Sequence, residues 1–238
     1  MENSKKIKIT VGLFYLIVVS SFLFFLFSKF SFQDLSSIKI IQSNTDKLNA
    51  LKDNNFIFLI LFFCISTIIW VFLLGFGSPV GLIGGFIFGK WLGTLLVTLC
   101  LSLGALALYS VGKYFLYDFL KKNFLIRFKK FDKMFEGNHL HVMVIFRFVG
   151  FVPFSIANLL PVIFNINIKN YFIGTFIGIM PSIFITCSLG SGLNNALYKF
   201  EKFPSIINLL SLPEIYLPVT AFICILITSL IIKKFFFK

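Results

Sequence analysis

The chain has 238 residues, 58% hydrophobic and 13% charged, with a mean hydropathy of +0.95. That balance excludes an ordinary water-soluble domain and marks a chain that crosses a membrane several times. The formal net charge of +13 does not signal nucleic acid, because the lysines and arginines collect at the borders of apolar runs and in one linker, where cations meet anionic lipid and set topology.

In chain order, Lys5, Lys6 and Lys8 precede an uncharged run from Ile9 to Phe27, long enough to span, and the SKFSFQ that follows has no small-x-small cleavage pattern. This reads as a retained signal anchor with its amino terminus inside. From Ser28 to Asn55 the charges are mixed. Ile38, Ile41, Leu48 and Leu51 recur there at near-helical spacing, which predicts a short helix on the outer surface.

Phe56 to Gly89 holds no charge, and Gly75, Gly77, Pro79, Gly81, Gly84, Gly85 and Gly89 crowd its second half. Such density predicts a broken hairpin, its turn near Gly77, Ser78 and Pro79, rather than a straight helix. Trp91 to Gly112 then spans. From Lys113 to Glu136 the cations outnumber Asp118, Asp132 and Glu136, and Leu116, Leu120, Phe124, Phe128, Phe131 and Phe135 repeat every three or four residues. The pattern fits an amphipathic helix on the cytoplasmic surface and equally a solvated basic connector.

The stretch from Val142 to Thr175 carries the most chemistry. Arg147 is its only formal charge up to Ile168. An arginine at bilayer depth costs about 2.5–3.5 kcal/mol on insertion scales, so it needs a phosphate, a carbonyl or water. Pro153 and Pro161 break the chain, and Asn158 between them can bond to backbone locally, which predicts a second helix-break-helix hairpin. Non-helical backbone at membrane depth persists only where it is buried in protein or lines a wet cavity. Phe172 to Leu189 spans next, interrupted by Gly178 and Pro181; a loop runs from Gly190 to Pro213, and Ile215 to Ile232 is the last span, closed by Lys233, Lys234 and Lys238.

The expected organisation is an anchor and outer loop over residues 1–55, a core over 56–190 that contains the basic linker 113–138, and a loop with a last spanning helix over 191–238. The fold class is an all-α integral membrane protein with about four spanning helices and two opposed re-entrant hairpins, both termini cytoplasmic. The segments GSPVGLIGGFIFGKWLGT and GFVPFSIANLLPVIFNINIKNYFIGT support a loose internal repeat. Each has a glycine, a proline, an apolar return, and then Trp91, Gly93, Thr94 or Phe172, Gly174, Thr175 at the start of a span. In this topology the hairpins enter from opposite sides and meet near the midplane, the geometry of a transporter or lipid pathway. The plainer reading is that the glycines only let helices approach closely.

No cofactor or metal is expected. Cys64, Cys100, Cys187 and Cys224 each sit in an apolar run without CxxC spacing, and His139 and His141 are two apart with no carboxylate beside them. No paired carboxylates, Ser/His pair or HExxH-type site falls in the apolar segments, so the chain does not read as an enzyme.

The run SPVGLIGGFIFGKWLGTLLVTLCLSLGALALYSVGKYF, followed by RFVGFVPFSIANLLPVIFNI and GTFIGIMPS, resembles the VTT domain of the DedA and SNARE-associated Golgi protein superfamily, over roughly Gly75 to Leu189. The resemblance implies two opposed re-entrant hairpins and a role in moving lipids across a bilayer. It matches Arg147 to the hairpin arginine, Pro153 to the Pro-Phe break and Asn158 to the polar residue beyond it. Gly150 and Pro161 depart from the pattern, standing where relatives often have proline and glycine. No Asp or Glu occurs between Asp53 and Asp118, which removes the acidic residues that proton-driven bacterial relatives carry around the first hairpin.

The leading expectation is therefore a non-enzymatic scramblase or flippase-like translocator of phospholipid or polyprenyl phosphate. Arg147 binds the lipid phosphate; Ser78, Ser155 and Asn158 supply neutral hydrogen bonds; Pro79 and Pro153 shape the hairpins, and Gly84 and Gly85 let backbone approach the head group. The expected partners are membrane lipids with anionic head groups and further copies of the chain, in the plasma (inner) membrane if the source is bacterial. The alternatives are a proton- or ion-coupled carrier of a small solute, and a scaffold that acts through its basic linker.

Overall fold

The structure, a computed structural model, describes residues 38–115, 117, 138–150, 152–199 and 211–236. The expected anchor Ile9 to Phe27 and residues 118–137 of the basic linker lie outside the described residues. The regular elements among the described residues are all α-helices: α1 (Ile38–Asn54), α2 (Phe56–Phe72), α3 (Gly77–Phe88), α4 (Lys90–Phe115), α5 (His139–Val149), α6 (Phe154–Ile163), α7 (Ile168–Lys199) and α8 (Pro213–Phe236).

α2 shows why these helices form in lipid and not in water. Phe63, Thr67 and Val71, four residues apart, are buried, whereas Ile57, Phe58, Leu61, Phe62, Ile65 and Ile69 are exposed on the other side. An exposed apolar stripe of this length suits acyl chains. By length and apolarity Lys90–Phe115 and Ile168–Leu197 are each able to cross a membrane, and Thr45–Asn54 with Phe56–Phe72, bent by 113°, forms a third candidate. Of the remaining expected spans, Ile215 to Ile232 falls within the 24-residue α8.

α4 and α7 pack against each other at the centre. α2 packs on α4 and α5 packs on α7, while the short helices cross over: α3 lies against α7 and α6 against α4. The same arrangement thus occurs twice, once in α2–α4 and once in α5–α7. The α3–α7 contact is backbone against backbone. A Cβ on Gly85 would stand 2.0 Å from the Cys187 carbonyl oxygen, and one on Gly190 would stand 2.1 Å from the Leu82 oxygen. In a membrane, where lipid competes for apolar surface, such close approach supplies the dispersion contacts that hold helices together.

Three expectations are corrected. The first turn lies at Leu73–Phe76, not at Gly77, Ser78 and Pro79, which open α3. A proline within the first turn loses no helical hydrogen bond, because those N–H groups have no acceptor anyway. α7 runs unbroken through Gly178 and Pro181 and on to Lys199, so the expected loop at Gly190 does not begin there. Pro161 does not break the chain either. It sits inside α6, and the reversal follows at Asn165, whose φ is +50°.

Candidate functional site

The second break is built from local signals. The Asn138 side chain caps α5, accepting from the Leu140 and His141 amides at 3.1 and 3.4 Å. Gly150 ends the helix in the left-handed region at φ +60°, where a side chain is disfavoured. Pro153 then sets the extended residue before α6. Arg147 lies in the last turn of α5, where the helix dipole favours a cation.

Its guanidinium is buried, with 5% of the residue exposed. Nε donates to Thr175 Oγ1 at 3.1 Å, Nη1 to Asn158 Oδ1 at 2.8 Å, and Nη2 to the Tyr171 hydroxyl at 2.8 Å. The Tyr171 hydroxyl in turn faces two carbonyls, Asn158 at 3.0 Å and Ala105 at 3.2 Å. The guanidinium carbon lies 5.3 Å from the centre of the Tyr171 ring and 5.7 Å from that of Phe154. Tyr171 stacks on Tyr109, ring centres 4.2 Å apart, and Tyr109 donates to the Ile166 carbonyl. Gly178 allows this approach, since a Cβ there would stand 2.6 Å from Arg147 Cβ.

The electrostatics are unbalanced. All three acceptors are neutral oxygens, so the bonds replace part of the lost hydration without cancelling the charge. A guanidinium has five N–H donors, so donors remain. The fully buried Asn158 also keeps an Nδ2 with no partner among the described residues.

Arg147 lines a cavity of about 300 Å³ where the two breaks meet. Ser78, Gly77, Pro153 and Ser182 share its wall, and Phe76 and Leu226 close its apolar side. The first residues of both α3 and α6 face it, and neither helix has a side-chain cap. Helix N-termini carry partial positive charge and unused N–H groups, so they add to the guanidinium and favour an anion. Among the described residues no group of three His, Cys, Asp or Glu side chains is placed to hold a metal.

Of the residues singled out from sequence, Arg147, Ser78 and Pro153 meet at the cavity and Asn158 bonds to Arg147. Asn158 does not bond its own backbone locally through Oδ1, which the guanidinium takes. Ser155 donates to the Leu74 carbonyl at 2.6 Å and so ties the second break to the first. Pro79 is exposed in the first turn of α3 and lies off the cavity. Gly84 and Gly85 face Val97 and Cys187, serving helix contact rather than head-group approach. Sequence reasoning missed Tyr171 altogether, and read Thr175 only as part of a repeat. Their spacing of one helical turn, just after the hairpin, was the available signal.

Apolar outer faces around an inward-turned polar cluster define an all-helical membrane protein. Residues 76–192, just under half of the chain, match the family model of the VTT domain, which is consistent with the DedA/VTT superfamily. It is 29% identical over 166 residues to a transmembrane protein 41 homolog of Dictyostelium discoideum, an alignment covering 67% of this chain and 49% of that protein. A transmembrane protein 41 homolog of Caenorhabditis elegans is 26% identical over 61% of each chain. Transmembrane protein 41B of Xenopus laevis is 26% identical over 70% of this chain and 64% of its own. The chain thus spans about half to two thirds of the length of these relatives. No solved structure matches it.

Proposed function

We propose that this protein moves phosphate-bearing lipids between leaflets, as a scramblase or flippase-like translocator without enzymatic activity. α2–α3 and α5–α6 are re-entrant hairpins entering from opposite faces of a multi-pass protein with both termini cytoplasmic. The cavity at their meeting point admits the head group. The observation that carries this reading is a buried guanidinium with no counter-charge among its hydrogen-bond partners, on the wall of a cavity that two uncapped helix N-termini also line. Arginine suits the role because its planar fork engages two phosphate oxygens at once. The apolar side of the cavity, with Phe76 and Leu226, suits the acyl chains that stay in the bilayer.

Reconstitution into vesicles that carry a fluorescent phospholipid in both leaflets tests this, with a membrane-impermeant quencher reading transfer from the inner leaflet. Wild type is expected to speed transfer, Arg147→Ala to slow it by about tenfold or more, the cost of losing a charge-assisted contact, and Arg147→Lys to restore little. A second reading is favoured by the three intramolecular bonds: Arg147 serves only to clamp α5 to α6 and α7. Under that reading Arg147→Ala melts at lower temperature yet transfers lipid at the wild-type rate when folded.

A further inference from the structure

A second cavity, of about 540 Å³, opens between α7 and α8. Its polar wall is Lys90, Ser188, Ser191 and Asn195, and its apolar wall includes Leu217 and Ala221. Lys90 is the first residue of α4 and is exposed, and its ammonium stands 6.0 Å from the centre of the Trp91 ring. Trp91 is 72% exposed and rests against Phe184, ring centres 5.1 Å apart. An exposed tryptophan beside a lysine at the start of an apolar helix is the usual equipment of a membrane–water interface.

The two cavities lie along the same pair of helices, α7 and α8. Ile183 and Ser182 of α7 line the Arg147 cavity while Phe184 lines the other, and on α8 the division falls between Ala221 and Phe222. One seam between α7 and α8 therefore runs from Lys90 toward Arg147, with Ser188, Ser191 and Asn195 at helical spacing at its Lys90 end and Ser182 at the Arg147 cavity. At 1.5 Å per residue, Ser191 lies about 20 Å along α7 from Gly178, which touches Arg147. That length is more than half of a hydrocarbon core about 30 Å thick, so the seam joins an interfacial site to a deep one.

We propose that the Lys90 cavity is a second head-group station, which takes the phosphate of an anionic phospholipid at the interface end of the α7–α8 seam. This rests on the translocation reading for what happens next: the head group passes between α7 and α8 to Arg147. Lys90 supplies the charge, the Ser191 hydroxyl and the Asn195 amide replace water on the head group, and Leu217 and Ala221 border the first acyl carbons; the Ser188 hydroxyl is taken by the Phe184 carbonyl at 2.7 Å.

Native mass spectrometry of the full chain in detergent, offered phosphatidylglycerol, tests the station independently of transport. Lys90→Gln is expected to weaken lipid retention by about fivefold, the worth of one interfacial cation, and Lys90→Arg to keep it. Arg147→Ala is expected to leave the Lys90-dependent retention intact. Retention unchanged by Lys90→Gln overturns the station and leaves the translocation reading standing. Displacement of the lipid by an equal concentration of glycerol 3-phosphate also overturns it, since the site then takes soluble phosphate. Lys90-dependent retention in a protein that moves no lipid in vesicles sinks the translocation reading and keeps the station as a lipid site.

Discussion

The two chain breaks hold the same place in the two halves of the molecule and are stabilised by opposite means. At the first, between α2 and α3, two neutral ties hold the chain: the Trp70 indole donates to the Phe76 carbonyl at 2.9 Å, and Ser155 reaches Leu74 from across the molecule. Leu74 adopts φ +65°, a conformation that costs a side-chain-bearing residue about 1–2 kcal/mol. At the second, between α5 and α6, glycine takes the left-handed position at no such cost, and a buried cation makes the ties. One break is thus an uncharged fold of the backbone held from outside. The other concentrates charge where the backbone itself is relaxed, so the strain and the chemistry fall on different breaks.

The sharpest way to break this comparison is to remove the cation. Arg147→Ala should abolish the asymmetry in function, with lipid transfer down about tenfold or more, whereas no single change at the first break should do so. Tyr171→Phe should come next. It deletes a hydroxyl that accepts from Arg147 and faces two carbonyls, so chemical denaturation should register a loss of about 1–3 kcal/mol together with slower transfer. Trp70→Phe should cost about 1 kcal/mol and leave transfer at the wild-type rate, because it removes one neutral hydrogen bond and no contact of the guanidinium. Leu74→Gly should be the mildest, a gain of a few tenths to about 1 kcal/mol, since relief of the left-handed strain is offset in part by the greater freedom of glycine in the unfolded chain. Should Trp70→Phe slow transfer as much as Arg147→Ala, the division between a structural break and a chemical one fails.

The second break was legible in the sequence because its signals are local and costly. An arginine inside an apolar run demands a partner, and Gly150 and Pro153 act on the backbone at their own positions. The first break was misplaced by a few residues for the complementary reason. Gly77, Ser78 and Pro79 suit the opening turn of a helix as well as a turn between helices, and the residue that does reverse the chain is Leu74, which no propensity marks. Its conformation is decided by Trp70 and Ser155, contacts that exist only once the helices have met. Tyr171 and Thr175 were hidden in the same way, since a hydroxyl in an apolar helix is informative only when its neighbour is known. Pro161 and Pro181 looked like breakers by the rules of water. Inside a bundle in lipid, where a helix has few alternatives, both are accommodated.

The crossing of α3 onto α7 and of α6 onto α4 has a consequence for how the protein is made. α7 starts at Ile168, 80 residues after α3 ends at Phe88. At ribosomal speeds of about 5–20 residues per second, the glycine face of α3 waits roughly 4–16 s for the surface it fits. A ribosome that stalls before Ile168 leaves a short helix in the bilayer with its partner still unmade. Quality control in the membrane therefore has a defined orphan to detect, and the later half of the gene decides whether the earlier half survives.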